Sequence, residues 1–356
     1  MTPETQPGVR TSRRDLVRFA TLTGVATVAT AAAGGLAGQQ AAQAADANST
    51  VFPAEYIYPT VSGPSLAIWG SSSVEGAYAD QGVPAGVKAT LPELLSSYLS
   101  VPVLGFGRGG DTSSLITARR GVSANRYKLV FPDDMIPASG TVPVTLASDA
   151  NVSWGSSTQV PGYVGDVPGL LLAGETENSL FFTRTVPGEE IYAPSDTAAA
   201  WLYSYQEMIS RACYHVLQIG RNNLAETSRI QEDTQRAFDM APTRSIVLGH
   251  FRAQKDSNTS DRAKQVETYN AWAAKTFGDR FMNPETFLRE TTQESWLRYG
   301  ALAGSGIWSS DKDRAAYKEG KIPPSFYATD GFHLNGWGYV AIAQQIYYRV
   351  TQLGWF

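Results

Sequence analysis

Residues 65–76 read SLAIWGSSSVEG, an apolar run that ends in a glycine- and serine-rich turn. A short apolar run that ends in glycine is typical of a buried parallel strand. A hydroxyl in a glycine-flanked turn at the carboxyl end of such a strand lies where open α/β sheets build their sites. On these residues alone, Ser72 is one of three adjacent candidate nucleophiles, and a plain serine-rich loop is the alternative.

The same strand-then-loop pattern recurs along the chain. A strand is predicted to begin at residue 101 and others to cover 214–219 and 245–249, while helices are predicted over 91–100, 230–241, 262–277 and 336–353. Strands that alternate with helices favour a parallel sheet covered on both faces. The predicted fold class is therefore α/β.

Residues 123–195 depart from this pattern. They contain short apolar runs, such as 142–146, 169–173 and 179–184, separated by prolines and other turn residues. Prolines at this density disfavour long helices. The β-branched and aromatic content favours an inserted β-rich subdomain, with a long disordered loop as the alternative. The α/β domain then consists of residues 45–122 and 196–356.

Composition excludes several classes of protein. The chain of 356 residues is 43% hydrophobic and 17% charged, which is typical of a protein with a real core. Its formal net charge of −4 gives no basic surface for nucleic acid or for an anionic membrane, so neither is an expected partner. The single cysteine, Cys213, cannot form an internal disulfide, and we expect it to be a buried small apolar residue.

The N-terminus resembles an export signal. Arg13 and Arg14 precede a weakly apolar stretch from residue 19 to about 38, and the small residues at 42–44 suit a signal peptidase. This pattern predicts a twin-arginine signal over residues 1–44 and a bacterial protein that works outside the cytoplasm. A transmembrane anchor is the alternative, but the Gly/Ala/Thr content makes insertion weak, so no stable membrane insertion is expected after cleavage.

The C-terminal segment 330–339 reads DGFHLNGWGY. Ester hydrolysis needs a base that takes a hydroxyl proton and returns it to the leaving group, and imidazole suits both steps. A nearby carboxylate fixes the imidazole tautomer and stabilises the imidazolium. Asp330 and His333 can supply this pair from one loop. A metal site or a structural histidine is the alternative for such a spacing.

Two blocks near the start of the α/β domain resemble those of the SGNH (GDSL) hydrolases. The family's first block, Gly-Asp-Ser-x-[Thr/Val]-x-Gly, is matched by residues 70–76, with Ser71 in place of the aspartate. The second block, Asn-x-Gly-x-x-Gly, is matched by residues 105–110, with Gly105 in place of the asparagine. By this resemblance Ser72, rather than a neighbouring serine, is the nucleophile.

Two later blocks complete the resemblance in the family's order. Gly-x-Asn-Asp is similar to residues 220–223, with Asn223 in place of the aspartate, and the fourth block corresponds to Asp330 and His333. Gly-x-Ser-x-Gly, the nucleophile elbow of the α/β-hydrolases, is not found at the serine.

The resemblance implies a fold and a set of roles. The fold is a flavodoxin-like three-layer α/β/α hydrolase domain. The catalytic residues are Ser72, Asp330 and His333, and the oxyanion hole is formed by the Ser72 backbone, Gly107 and Asn222. For Asn222 a plain turn residue is the alternative. The family needs no cofactor, and no His/Cys/Asp cluster has the spacing of a metal site.

Export, an acidic surface and the β-rich insertion favour an ester substrate of carbohydrate type, such as an O-acylated cell-envelope or plant polysaccharide. A lipase or phospholipase of the same family is one alternative, and a non-catalytic glycan-binding module is another. Arg119 and Arg120 are interpreted as a solvated helix end. The sequence indicates no oligomeric state.

Overall fold

The computed structural model describes residues 61–152, 158–175 and 179–356, together with Phe52, Tyr56 and Tyr58. The predicted export signal lies outside the described residues. Within the described ranges, no helix is both long enough and apolar enough to cross a membrane.

The first part of the chain forms two neighbouring strands and three helices. They are β1 (Leu66–Gly70), α1 (Ser72–Glu75), α2 (Leu91–Leu99), β2 (Val103–Gly107) and α3 (Ser113–Arg120). Thr90 caps the N-terminus of α2, since its hydroxyl accepts the Glu93 N–H, and a proline lies in the first turn, where no N–H is needed.

The middle of the chain forms antiparallel β-structure. Its strands are β3 (Leu129–Val130), β4 (Met135–Ile136), β5 (Gly140–Leu146), β6 (Gln159–Val164), β7 (Val167–Ala173), β8 (Leu180–Arg184), β9 (Ile191–Tyr192) and β10 (Leu202–Ser204). Six of these strands pair in the order β10-β6-β7-β8-β5-β3, and β4 pairs with β9. The β-rich character predicted for this segment is confirmed, and β10 extends the sheet past residue 195.

The last part returns to alternating strands and helices. Its elements are α4 (Tyr205–Ser210), β11 (Tyr214–Leu217), α5 (Thr227–Asp239), β12 (Ser245–Leu248), α6 (Asp261–Phe277), β13 (Phe281–Met282), α7 (Pro284–Arg289), α8 (Asp311–Lys318) and α9 (Gly336–Gln352). Short 3-10 or π turns lie at Ser123–Asn125, Pro132–Asp134, Ala198–Ala200, Pro242–Arg244, Gly278–Arg280, Thr291–Gln293, Leu297–Ala301 and Pro324–Phe326.

A five-stranded parallel sheet is the centre of the α/β part. Its order is β13-β12-β11-β1-β2. Numbered along the chain, these five strands lie in the order 2-1-3-4-5, which is the flavodoxin-like order. The α/β prediction is therefore confirmed. The winding reverses between β1 and β11, and a crevice is expected there at the carboxyl ends of the strands.

Helices pack on both faces of this sheet. Leu66 and Ile68 of β1 join one core with residues of α2 and α9, whereas Ala67 and Trp69 join another core with residues of α3 and α5. Burial on both faces explains why β1 is apolar throughout. The antiparallel sheet has a core of its own, which includes Leu115 of α3, so α3 packs against both parts of the protein.

Candidate active site

Ser72 is the first residue of α1 and follows β1 after a single residue. The turn is closed by the N–H groups of Val74 and Glu75, which both donate to the Ser71 carbonyl at 3.0 Å. Gly76 ends the short helix with a φ of 90°, a conformation that favours glycine. Ser72 is half-buried at the carboxyl end of the strand, next to the reversal of winding.

Three of the predicted residues form one chain of hydrogen bonds. The Ser72 Oγ lies 2.7 Å from His333 Nε2, although the two residues are 261 positions apart. The other ring nitrogen, His333 Nδ1, lies 2.6 Å from Asp330 Oδ2. With the ring proton on Nδ1, where the carboxylate accepts it, Nε2 is the acceptor for the serine hydroxyl. This geometry can activate Ser72 as a nucleophile.

The Asp330 carboxylate also accepts two backbone hydrogen bonds. Oδ1 lies 2.9 Å from the Phe332 N and 3.0 Å from the His333 N. Burial raises the pKa of Asp330, but the hydrogen bonds from His333 and Phe332 outweigh it and hold the pKa below its ordinary value. The carboxylate therefore stays ionised at neutral pH, as a partner of an imidazolium requires.

The loop that carries Asp330 and His333 is fastened at several points. The Gln254 N–H donates to the Gly331 carbonyl at 2.7 Å, and the Ala328 N–H donates to the His333 carbonyl at 2.9 Å. Asn335 caps α9 by accepting the Gly338 N–H. The imidazole is thus held by a short loop that is fixed on both sides.

Two aromatic rings flank the His333 imidazole. The Phe332 ring lies edge-on with its centroid 5.0 Å away, and the Tyr78 ring lies tilted at 5.4 Å. Tyr78 is 39% exposed and has a left-handed backbone with a φ of 60°. A non-glycine residue in this region costs about 1–3 kcal/mol and is kept where the surroundings impose it.

Asn222 lies in the turn that follows β11. Its Nδ2 donates to the Asp111 carbonyl at 3.0 Å, so the amide contacts the loop that follows β2. The neighbouring Asn223 fixes the two segments further, since its Oδ1 accepts the Ser113 N–H at 3.0 Å. An amide has two protons, and only one of those on Asn222 is needed for Asp111. The role of Asn222 in an oxyanion hole stays a prediction.

Gly107 ends β2 in close contact with α1, the helix that begins at Ser72. A Cβ added there would lie 2.0 Å from the Glu75 N and 2.3 Å from the Val74 carbonyl carbon. This close approach explains the glycine through packing alone. Its role as an oxyanion donor stays a prediction.

We expect Gly107→Ala to destabilise the protein by about 1–3 kcal/mol, because the added atom meets backbone that cannot move aside. If the protein hydrolyses esters, as the sequence predicts, displacement of α1 should also lower kcat/KM by roughly 100-fold. Gly109→Ala is the matched control, since its Cβ would meet only the flexible Glu75 Oε2, at 3.0 Å. Thermal unfolding and ester hydrolysis test both variants, and an unchanged melting temperature for Gly107→Ala would contradict the packing argument.

The interpretation of Arg119 and Arg120 as a solvated helix end is wrong. Arg119 is 2% and Arg120 3% exposed. Arg119 forms an ion pair with Asp111 at 2.8 Å and donates to the Phe106 carbonyl at 3.1 Å, beneath the loop that follows β2. These partners come from segments earlier in the chain, so the paired arginines alone do not reveal them.

Arg120 and the two other histidines are also buried. Arg120 Nη1 lies 2.8 Å from His215 Nδ1, and burial lowers the arginine's pKa to about 9. Burial and the neighbouring Arg120 lower the pKa of His215, and burial lowers that of His250 to about 3, so both rings are neutral. Cys213 is buried, as predicted. Within the described ranges, no cluster of three or more His, Cys, Asp and Glu side chains could hold a metal ion.

Comparisons with known proteins give one distant likeness. No family model matches the chain, and no curated protein matches it. A solved structure, described as a member of the lipolytic protein G-D-S-L family from Veillonella parvula DSM 2008, is 12% identical to the chain and has a TM-score of 0.37. The match covers 82% of this chain and 97% of the other. At this TM-score the likeness supports no argument about function.

Proposed function

We propose that the protein is a serine esterase of the SGNH type that hydrolyses carboxylic esters through an acyl-enzyme. The observation that carries the proposal is the continuous chain of hydrogen bonds from Ser72 through His333 to Asp330, at 2.7 and 2.6 Å. Nucleophile, base and orienting acid in this arrangement are the requirements for acyl transfer at neutral pH.

The reaction follows from these contacts. Ser72 Oγ attacks the acyl carbon while His333 Nε2 takes the hydroxyl proton, and the carbonyl electron pair moves onto oxygen. The tetrahedral intermediate then expels the alcohol, which leaves with the proton from His333, and an acyl-serine remains. Water repeats the sequence, releases the carboxylic acid and restores Ser72.

The oxyanion needs donors on the side of Ser72 away from the base. The Ser72 N–H and the second amide proton of Asn222 are the proposed donors, together with a backbone N–H from the loop that begins at Gly107. The contact of Asn222 with the Asp111 carbonyl supports this arrangement, because it brings the amide to that loop. Loss of one such donor lowers turnover by about 10²–10³-fold.

An acylated carbohydrate is the proposed substrate class. Tyr78 offers an exposed ring beside His333, where the alcohol part of an ester leaves, and sugar rings stack on such aromatic faces. The antiparallel sheet reaches the same region, since Arg108 Nη1 donates to the Gln159 carbonyl of β6 at 2.5 Å. The same sheet also borders a cavity of about 410 Å³ lined by Trp201 and Lys128.

A fluorophosphonate probe tests the reaction class, and acetate release tests the substrate class. We expect the probe to label Ser72 in the folded protein, and failure of labelling would favour a non-catalytic glycan-binding module. O-acetylated polysaccharides should release acetate faster than long-chain esters release fatty acid. A strong preference for acyl chains beyond about eight carbons would instead indicate a lipase or phospholipase.

Replacement of Tyr78 by alanine should raise KM for acetylated sugars by about fivefold, because an aromatic stacking contact contributes about 1 kcal/mol. KM for ethyl acetate should change little, since that alcohol is too small to cover the ring. Tyr78→Phe is the matched control and should retain the wild-type KM. Equal changes for both substrates in Tyr78→Ala would contradict a sugar-binding role.

We also propose that the protein is exported by the twin-arginine route and acts outside the bacterial cytoplasm. The paired arginines and the weakly apolar stretch that follows them support this proposal. Export in the folded state agrees with a chain whose single cysteine leaves it without an internal disulfide.

A further inference from the structure

Arg221 is a fully buried cation between two aromatic rings. Its guanidinium carbon lies 3.8 Å from the centroid of the Phe251 ring and 4.6 Å from that of the Phe332 ring. The side chain has no solvent exposure. Arg221 directly precedes Asn222, and Phe332 directly precedes His333, so this one side chain lies between the proposed oxyanion turn and the base loop.

The hydrogen bonds of Arg221 join the same two segments. Nη2 donates to the Phe332 carbonyl at 2.7 Å, and Nη1 donates to the Phe251 carbonyl at 2.9 Å. The Phe332 carbonyl and the His333 nitrogen belong to the same peptide group. A shift of Arg221 therefore moves the backbone that carries the imidazole.

Burial of the charged Arg221 side chain lowers the stability of the folded protein. Among the described residues, no carboxylate lies within ion-pair distance of its guanidinium, and its Nε has no hydrogen-bond partner. Burial and the nearby Arg262 lower its pKa to about 10, so it remains charged at neutral pH. An apolar side chain between two phenylalanines would avoid the desolvation cost of this charge. The position is therefore better explained by function than by stability.

We propose that Arg221 is a positioning residue that holds the base loop in register with Asn222, and so sets the direction in which His333 delivers its proton. The inference rests on the proposed ester hydrolysis. Within that reaction, the imidazolium must protonate the departing alkoxide. A weakly basic phenolate leaves without this help, whereas an alkyl alkoxide does not.

Leaving-group dependence separates positioning from a general structural role. We expect Arg221→Met to lower kcat/KM for ethyl acetate by about 100-fold, the effect of a displacement near 1 Å, and to lower it for p-nitrophenyl acetate by about tenfold or less. Arg221→Lys keeps the charge but can reach only one of the two carbonyls, and should lie between the wild type and Arg221→Met. The melting temperature is measured for each variant.

Arg280→Met is the matched control. Arg280 also lies over an aromatic ring, that of Trp355 at 5.5 Å, and also donates to a carbonyl, but it precedes β13 at the amino end of the sheet. We expect this variant to hydrolyse both esters at the wild-type rate.

Equal losses on both esters in the Arg221 variants, or no loss, would overturn the inference while leaving the proposed function intact. If Arg221→Met does not fold, the loss of kcat/KM on ethyl acetate is compared with that on p-nitrophenyl acetate for Arg221→Lys. A greater loss on ethyl acetate supports the inference, and equal losses overturn it. Wild-type protein that hydrolyses neither ester and is not labelled at Ser72 would instead overturn the proposed function.

Discussion

Ser72→Ala is expected to lower kcat/KM for an acetyl ester by about 10⁵–10⁶-fold, because the acyl-enzyme can no longer form. The variant should keep the wild-type melting temperature, since the Ser72 hydroxyl is half-buried and its removal leaves α1 in place. Hydrolysis is measured with p-nitrophenyl acetate and with an O-acetylated polysaccharide.

Ser71→Ala is the control for Ser72→Ala. The Ser71 Oγ is buried and has no hydrogen-bond partner among the described residues, so its removal costs little. The Ser71 variant should hydrolyse esters within about threefold of the wild type, which corresponds to less than 1 kcal/mol. Near-normal turnover by Ser72→Ala, or loss of turnover by Ser71→Ala alone, would show that Ser72 is not the nucleophile.

His333→Ala should be almost as damaging, with a loss of about 10⁵-fold, because the same ring removes the serine proton and protonates the alcohol. In the wild type, the low pKa of Asp330 keeps its carboxylate charged well below neutral pH. The carboxylate therefore continues to orient the His333 ring in mildly acidic solution. Hydrolysis of p-nitrophenyl acetate by purified His333→Ala measures the loss.

His215→Gln provides the comparison for His333→Ala. His215 is buried on the side of the sheet that α3 and α5 cover, where its Nδ1 lies 2.8 Å from Arg120 Nη1 and accepts the Trp69 Nε1–H at 3.2 Å. The variant can lose stability, but its folded fraction should hydrolyse esters at the wild-type rate. Turnover that survives in His333→Ala at the wild-type level would refute the assignment of the base.

The periodic elements of the α/β part are predictable from sequence to within a few residues. The prediction over 262–277 corresponds to Asp261–Phe277, and that over 336–353 to Gly336–Gln352. These segments bury one face in the core, so their apolar positions recur at helical spacing. The apolar run at the start of β1 is equally informative, because both faces of that strand are buried.

The site residues that lie in short sequence motifs are predictable. Ser72 lies in one motif and Asp330 and His333 lie in another, and the structure brings these three side chains within hydrogen-bonding distance. The burial of Arg119, Arg120 and Arg221 is not predictable, because their acceptors are carbonyls and side chains from distant segments. An arginine in a sequence is most often solvated, and only the assembled fold shows an exception.

Gly107 illustrates a different limit. The resemblance implies a role for this glycine in an oxyanion hole, but it does not reveal what the glycine packs against. In the structure the neighbour is the backbone of Val74 and Glu75, which means that the end of β2 supports α1 directly. A glycine at a motif position can thus be required by packing as well as by catalysis.

The separation of 261 positions between Ser72 and His333 has a consequence for biosynthesis. The proposed nucleophile, Ser72, is synthesised 261 residues before the proposed base, His333. Closing so long a loop is slow compared with local pairing, so it comes late in folding. On the proposed mechanism, a chain that stops before His333 therefore carries an inert serine, and hydrolysis requires that folding has closed this loop.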